Sequence, residues 1–150
     1  MLQSVFQKLE ELFPEMVDIR RDLHMYPELS FQEVRTPKLI AEYHEKLGNE
    51  VRTGVGERGV VATMRGGKPG KTVALRADFD ALPIEEENDV PYKSTIPGVM
   101  HACGHDAHTA ILLGVAKALK EHQEDIEGTV VFVHQHAEEG GFGAKYMVED

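Results

Sequence analysis

The chain has 150 residues, of which 16 are Lys or Arg and 26 are Asp or Glu, so its formal charge is −10 at pH 7 with neutral histidines. This acidic balance argues against a nucleic-acid-binding protein, because a surface of that sign repels phosphate backbones. With 41% hydrophobic and 28% charged residues, the composition is typical of a globular domain and excludes a disordered or fibrous chain.

Cysteine content and hydropathy predict the compartment. Cys103 is the single cysteine of the sequence, so intramolecular disulfides cannot support the fold and a reducing environment is expected. The first ten residues lack the apolar segment of a secretory signal, and no stretch approaches the roughly 20 apolar residues of a membrane span. We therefore predict a cytoplasmic protein that has no membrane partner.

Two amphipathic helices are predicted in the first third of the chain. Apolar residues recur at helical spacing over residues 3–25, where Pro14 is expected to interrupt the helix. A second helix is predicted over residues 31–47, with Gly48 as its stop.

Strands and helices are predicted to alternate in the remainder. Two β-rich runs, 59–65 and 71–77, flank a Gly-rich segment that predicts a hairpin loop. A long loop over residues 83–104 is followed by a buried helix over 106–120, a buried strand over 128–133 and the start of another helix at 143. This alternation predicts an α/β fold, a layered sheet with helices on both faces, whose ligands bind beyond the carboxyl ends of the strands.

Potential metal ligands are concentrated at predicted strand ends and at one helix start. They form three clusters: Asp78 and Asp80; His101, Cys103, His105, Asp106 and His108; and His134, His136, Glu138 and Glu139. Thiolate, imidazole and carboxylate together indicate a transition-metal site rather than a calcium or magnesium site.

Cys103 and His105 flank Gly104, which permits a backbone conformation that lets both side chains reach one centre. A buried structural cysteine, or a nucleophilic cysteine with a neighbouring base, are the alternatives. Glu138 and Glu139 offer two carboxylates, one to bind metal and one to transfer a proton, although a solvated acidic pair has the same sequence.

Other polar residues are interpreted more simply. His134 and His136 are left out of the site as hydrogen-bonded residues at a strand end. His24 is expected to cap or pack against the end of the first helix, and residues 85–87 are expected to form a solvated loop.

Four motifs in series resemble the amidohydrolase branch of the zinc-type metallopeptidase clan, which includes aminoacylases, hippurate hydrolases, auxin-conjugate hydrolases and acetyl-diaminopimelate deacetylases. The motifs are Arg20-Arg21-Asp22-Leu23-His24 with Pro27-Glu28-Leu29-Ser30, Leu75-Arg76-Ala77-Asp78-Phe79-Asp80-Ala81-Leu82-Pro83, Met100-His101-Ala102-Cys103-Gly104-His105-Asp106-Ala107-His108-Thr109-Ala110, and Gln135-His136-Ala137-Glu138-Glu139-Gly140.

The resemblance implies a zinc-peptidase-like catalytic domain with two divalent metal ions, manganese or zinc, with cobalt as a further option. It makes Cys103, His105 and Glu139 metal ligands, and it makes Glu138 the general base that activates a metal-bound water. Asp80 is implied to orient a metal ligand without itself binding the metal.

Two positions depart from the family pattern. Asp78 stands where the wider clan has a ligand histidine, so binding by Asp78 is not assumed. His136 stands where many relatives have a proline, and no role is assigned to it.

The implied function is metal-dependent hydrolysis of the amide bond of N-acyl amino acids or short peptides, with a small-molecule substrate. Because family members are longer, residues 1–150 are expected to be the N-terminal portion of the catalytic domain. The lid or dimerisation domain, through which a homo-oligomer is expected, and the remaining catalytic segment would lie outside them. The alternatives are a cysteine hydrolase that uses Cys103, and a non-catalytic metal-binding or interaction module.

Overall fold

A four-stranded sheet and its helices make up the computed structural model, which describes residues 2–150. The helices are α1 Leu2–Met25, α2 Arg35–Lys46, α3 His105–Lys120, α4 Glu138–Gly141 and α5 Gly143–Glu149, and a 3-10 turn spans Gln123–Asp125. The strands are β1 Glu50–Val55, β2 Gly59–Arg65, β3 Lys68–Asp78 and β4 Glu127–Gln135. The predicted α/β class is confirmed.

The sheet has the strand order β1-β2-β4-β3. The pairs β1–β2 and β2–β4 are antiparallel, whereas β3 and β4 are parallel and connected through α3. In the parallel pair Asp78 is opposite Gln135, so both strands end at the same level. Residues that follow β3 and β4 therefore meet at one edge of the sheet.

The predicted hairpin between β2 and β3 is wrong, because β4 lies between these two strands. The connecting glycines donate hydrogen bonds to the segment that leads into β4 instead of closing a turn. Gly66 N donates to Gly128 O at 2.8 Å, and Gly67 N donates to Gln123 O at 2.9 Å. These partners are about 60 residues away in sequence, beyond the reach of local turn preferences.

Helices α2 and α3 pack on one face of the sheet, and α5 lies against one end of the other face. On one face Phe132 of β4 and Leu113 of α3 are fully buried, and Ile40 of α2 joins the same core. On the other face α5 contacts the start of β2, where the Met147 side chain occupies the space that a side chain at Gly59 would need. Burial of this apolar surface is the main stabilising contribution.

Element boundaries differ from prediction in three places. Helix α1 continues through Pro14 because it packs along α3. Helix α2 begins at Arg35 rather than at residue 31, since the Glu28 carboxylate accepts backbone N–H groups from residues 34 to 36 at that end. Strand β1 was not predicted, because it is a mostly exposed edge strand with charged residues and little apolar alternation.

Within residues 2–150, no helix combines the length and apolar character that crossing a bilayer requires.

A buried histidine pair lies in the core between α2 and β4. His44 and His134 are both 0% exposed, and their Nε2 atoms are 2.9 Å apart. Asn49 Nδ2 lies 3.1 Å from His44 Nδ1 and donates to it, so His44 Nε2 carries the proton that His134 accepts. Burial lowers the pKa of His44 to about 4, and it also lowers the pKa of His134 well below its ordinary value.

This pair should make the protein acid-sensitive. Both folded-state pKa values lie below the unfolded value near 6.5, so the unfolded chain binds more protons as the pH falls and the folded state loses stability. With a folded-state pKa of about 4, His44 should remove about 2 kcal/mol of unfolding free energy between about pH 7 and about pH 5, and His134 acts in the same direction. Urea unfolding at both pH values measures this effect. The unfolding free energy of His44→Gln should fall less between about pH 7 and about pH 5 than that of the wild type.

The comparison between the two proteins isolates the histidine contribution. Burial raises the pKa of Glu33 to about 7, so Glu33 acts in the opposite direction, but it contributes equally to both proteins. An equal decrease in unfolding free energy on acidification in the wild type and in His44→Gln would contradict the prediction.

Candidate metal centre

Three parts of the chain converge at the shared edge of β3 and β4. Cys103 lies just before α3, His105 is the first residue of α3, and Glu139 lies in α4 directly after β4. The Cys103 Sγ, a His105 ring nitrogen and a Glu139 carboxylate oxygen all lie within 4.8 Å of one another. Gly104, with φ of 106°, makes the turn that places Cys103 beside His105, and a Cβ would be strained there.

His105 is held in one orientation by Asp80. The ring Nδ1–H donates to the Asp80 carbonyl oxygen at 2.9 Å, and the Asp80 carboxylate Oδ1 lies 3.2 Å from the same nitrogen. Both partners are acceptors, so Nδ1 carries the hydrogen and the lone pair is on Nε2. Nε2 faces Glu139 Oε1 at 3.7 Å.

Asp80 connects His105 to the Glu139 backbone. Its Oδ2 accepts Ser30 Oγ–H at 2.7 Å and Glu139 N–H at 2.9 Å. Burial opposes ionisation of Asp80, but the hydrogen bonds from His105, Ser30 and the backbone lower its pKa to about 2. Asp80 is therefore a carboxylate throughout the neutral range, and it contacts His105 on the Nδ1 side of the ring.

The donor set of Cys103, His105 and Glu139 fits a divalent transition metal. Sulfur, nitrogen and oxygen donors meet here, and Glu139 Oε1 is a buried atom without a hydrogen-bond partner in the described residues. The Glu139 carboxylate raises the pKa of the Cys103 thiol. A divalent cation would reverse that effect, because a coordinating thiol is deprotonated.

Cys103 is exposed. The interpretation of Cys103 as a buried structural cysteine is therefore wrong.

A second group of ligand types shares His105. Oxygen and nitrogen atoms of Asp78, His105 and His108 also lie within 4.8 Å of one another. Asp78 is already engaged, because His108 Nδ1 donates to its Oδ1 at 2.7 Å and Arg76 forms an ion pair with its Oδ2 at 2.7 Å. These two partners engage both carboxylate oxygens of Asp78, and no metal-binding role is assigned to it.

Glu138 lies at the rim of the centre. It is the first residue of α4, and its side chain is exposed whereas Glu139 is half-buried. The adjacent carboxylates therefore differ in environment, as a division of labour between metal binding and proton transfer requires.

The interpretation of residues 85–87 as a solvated loop is wrong for Glu86. Glu86 is 3% exposed and lies 3.1 Å from His24 Nε2. His24 Nδ1 contacts Asp106 at 2.7 Å on its other side, so His24 ties the long loop to the start of α3. Sequence reasoning placed His24 at a helix end but missed both carboxylate partners, because they lie 62 and 82 residues away.

Three further histidines are buried near this edge. His134 forms the core pair described above, which confirms it as a hydrogen-bonded residue outside the site. His136 packs edge-on against Phe31 with ring centroids 5.2 Å apart, and both its ring nitrogens lack partners within residues 2–150. The prediction that His136 is a hydrogen-bonded strand-end residue is therefore wrong within these residues. His101 is also buried without ring partners in that range.

Known proteins match this chain over the residues that form the proposed centre. The family model described as peptidase family M20/M25/M40 matches residues 74–150, a span that contains every residue of the proposed centre. YhaA of Bacillus subtilis, which carries an amidohydrolase name, is 59% identical over 149 residues, covering 99% of this chain and 38% of YhaA. The N-acyl-L-amino acid amidohydrolase of Geobacillus stearothermophilus is 44% identical, covering 98% of this chain and 40% of that protein.

A solved structure agrees with the sequence relatives. The Bacillus subtilis YXEP protein, described as a dinuclear metal binding peptidase from the M20 family, superposes with a TM-score of 0.88 at 42% identity, covering 93% of this chain and 39% of that chain. The chain spans about two fifths of the length of these relatives. Because the family model matches more than half of its residues, and because its fold matches that of a family member, the chain belongs to peptidase family M20/M25/M40.

Proposed function

We propose that the protein containing this chain is a metal-dependent hydrolase that cleaves the amide bond of N-acyl amino acids or short peptides. The observation that carries the proposal is the meeting of Cys103, His105 and Glu139 ligand atoms within 4.8 Å, beside the exposed carboxylate of Glu138. The names of the Geobacillus amidohydrolase and of the dinuclear peptidase support the same reaction and two divalent ions. Manganese and zinc are the metals proposed first.

The proposed roles follow from the environment of each side chain. Cys103, His105 and Glu139 would hold metal, with further ligands supplied from outside residues 1–150. Bound metal would polarise the substrate carbonyl and lower the pKa of the attacking water. Glu138 would accept a proton from that water and deliver it to the leaving nitrogen, since its side chain is exposed and adjacent to a ligand. Asp80 would keep the His105 Nε2 lone pair available.

The remaining sequence predictions stay proposals for the whole protein. Residues 1–150 would form the N-terminal portion of the catalytic domain, and a lid or dimerisation domain would lie outside this range. We propose a cytoplasmic homo-oligomer that acts on a small-molecule substrate. The acyl group and the amino acid would be recognised largely by residues outside this range.

A cysteine hydrolase is disfavoured by the charges around Cys103. Carboxylates around Cys103 raise its pKa, which lowers the fraction of reactive thiolate. The hydrogen bond from His105 Nδ1 to Asp80 leaves Nε2 free, which suits a metal ligand and the base of a cysteine nucleophile alike, so the chelator and iodoacetamide experiment decides between them.

Hydrolysis of N-acetyl and N-benzoyl amino acids and of dipeptides should depend on metal. We expect chelator to lower the rate of the full-length protein at least about 100-fold, and added manganese or zinc to restore it. Iodoacetamide should not inactivate the metal-loaded protein, because its thiolate would be coordinated. Chelator-resistant turnover that iodoacetamide abolishes would establish the cysteine hydrolase instead. Metal binding without turnover of any substrate would favour the interaction module.

A further inference from the structure

Glu33 is a buried acid outside the proposed ligand set. Its side chain is 0% exposed, in the segment between α1 and α2. Its Oε1 accepts the backbone N–H of Ala137 at 3.0 Å, and its Oε2 has no hydrogen-bond partner among residues 2–150. Burial, together with the nearby carboxylates of Asp80 and Glu28, raises the pKa of Glu33 to about 7. Burying a carboxyl group in this way is costly, so a compensating role is expected.

The partner of Glu33 is a strained residue next to the proposed catalytic glutamates. Ala137 has φ of 48° and ψ of 47°, a left-handed conformation that non-glycine residues rarely adopt. It directly precedes Glu138 and Glu139 in the chain. Its N–H is held by Glu33, and its carbonyl oxygen accepts Gly143 N–H at 2.9 Å. The direction in which Glu138 and Glu139 leave β4 depends on this turn.

The same segment supports the glutamates from a second side. Ser30 Oγ donates to Asp80 Oδ2 at 2.7 Å, and that oxygen accepts Glu139 N–H at 2.9 Å. Phe31 fills the space beside Gly141, where its ring would clash with an added Cβ. Residues 30–33 therefore support α4 and the turn before it directly through Phe31 and Glu33, and through Asp80 in the case of Ser30.

We propose that Glu33 is a positioning residue, which fixes the left-handed turn at Ala137 and thereby directs Glu138 toward the substrate and Glu139 toward the metal. This inference rests on the proposed function, because it assigns Glu33 to the same site. The required property is a hydrogen-bond acceptor at Oε1. A glutamine supplies that acceptor, whereas a methionine of similar size does not.

The test compares Glu33→Gln and Glu33→Met in the full-length protein by kcat, KM and Mn²⁺ affinity without substrate. We expect Glu33→Met to lower kcat at least about 30-fold with KM changed less than about threefold, and to weaken Mn²⁺ binding about tenfold. Glu33→Gln should restore both values to within about threefold of the wild type. Full activity and Mn²⁺ affinity in Glu33→Met, or equal losses in both variants, would overturn the proposal.

Glu28→Met is the matched structural control. The Glu28 carboxylate accepts N–H groups of Val34, Arg35 and Thr36 at the start of α2, without contacting the turn at Ala137. We expect Glu28→Met to lower the Tm while leaving kcat and Mn²⁺ affinity unchanged. A kcat loss equal to that of Glu33→Met at a similar Tm would mean that general loosening causes the effect, and would also overturn the proposal.

The measurements distinguish failure of the proposed hydrolase function from failure of the positioning role of Glu33. If the wild type hydrolyses no substrate with any metal, the proposed function fails, but Mn²⁺ affinity still reports the position of Glu139. Under that outcome, weaker Mn²⁺ binding in Glu33→Met than in Glu33→Gln supports the positioning role. Equal binding in both variants refutes it.

Discussion

Replacing Glu138 by glutamine should lower kcat by about 10³-fold while metal content and KM remain close to wild type. Glutamine keeps the size of the side chain but cannot accept a proton, and loss of a general base typically costs 10²- to 10⁴-fold. The exposed position of Glu138 at the start of α4 should let the substitution leave the fold intact. Steady-state kinetics together with metal analysis of the purified protein measure both effects.

Glu139→Gln provides the contrasting result. Glu139 is half-buried with an unpartnered Oε1 facing His105, so the same change there should weaken metal binding as well as turnover. The exposed Glu10→Gln on α1 serves as a control and should behave as wild type. If Glu138→Gln loses metal and Glu139→Gln retains it, the roles of the two glutamates are reversed.

Replacing Asp80 by alanine should lower both metal affinity and kcat/KM by about 10- to 100-fold, the range typical for a residue that orients a ligand. The change removes the carboxylate oxygen 3.2 Å from His105 Nδ1, although the Asp80 backbone carbonyl remains as an acceptor at 2.9 Å, and it removes the acceptor shared by Ser30 and Glu139. Asp80→Asn should be intermediate, because it keeps one carbonyl acceptor but loses the negative charge. Isothermal titration with Mn²⁺ and kinetics on the same preparations test the ranking.

The control for Asp80 is Asp18→Ala, an exposed aspartate on α1 that should leave both quantities unchanged. Hydrogen bonds hold the pKa of Asp80 at about 2. Its contribution to metal affinity and to kcat/KM should therefore not vary with pH across the neutral range. Wild-type metal affinity in Asp80→Ala would refute the orienting role.

Local sequence patterns predicted most of the elements and the composition of the candidate site. Runs of small and β-branched apolar residues located β2, β3 and β4, and apolar residues at helical spacing located α3. The ligand clusters around Asp80, Cys103 and Glu139 could be found because strand ends of an α/β sheet are where polar side chains converge.

Long-range pairing was beyond the reach of those patterns. The hairpin prediction failed because β4, far along the chain, inserts between β2 and β3. Glu86 was interpreted as solvated, although its carboxylate is buried against His24. In each case the deciding partner lies 60 or more residues away, and a local pattern carries no signal of it.

By itself, the sequence determined the α/β class and the chemical types of the proposed metal-ligating side chains, because both follow from residue identity and periodicity. Only the tertiary structure decided which nitrogen of His105 is free, that Asp80 joins His105 to the Glu139 backbone, and that Glu33 holds the turn at Ala137. These contacts depend on how parallel strand ends and a distant loop pack together, since hydrogen bonds form only within about 3 Å whatever the sequence separation.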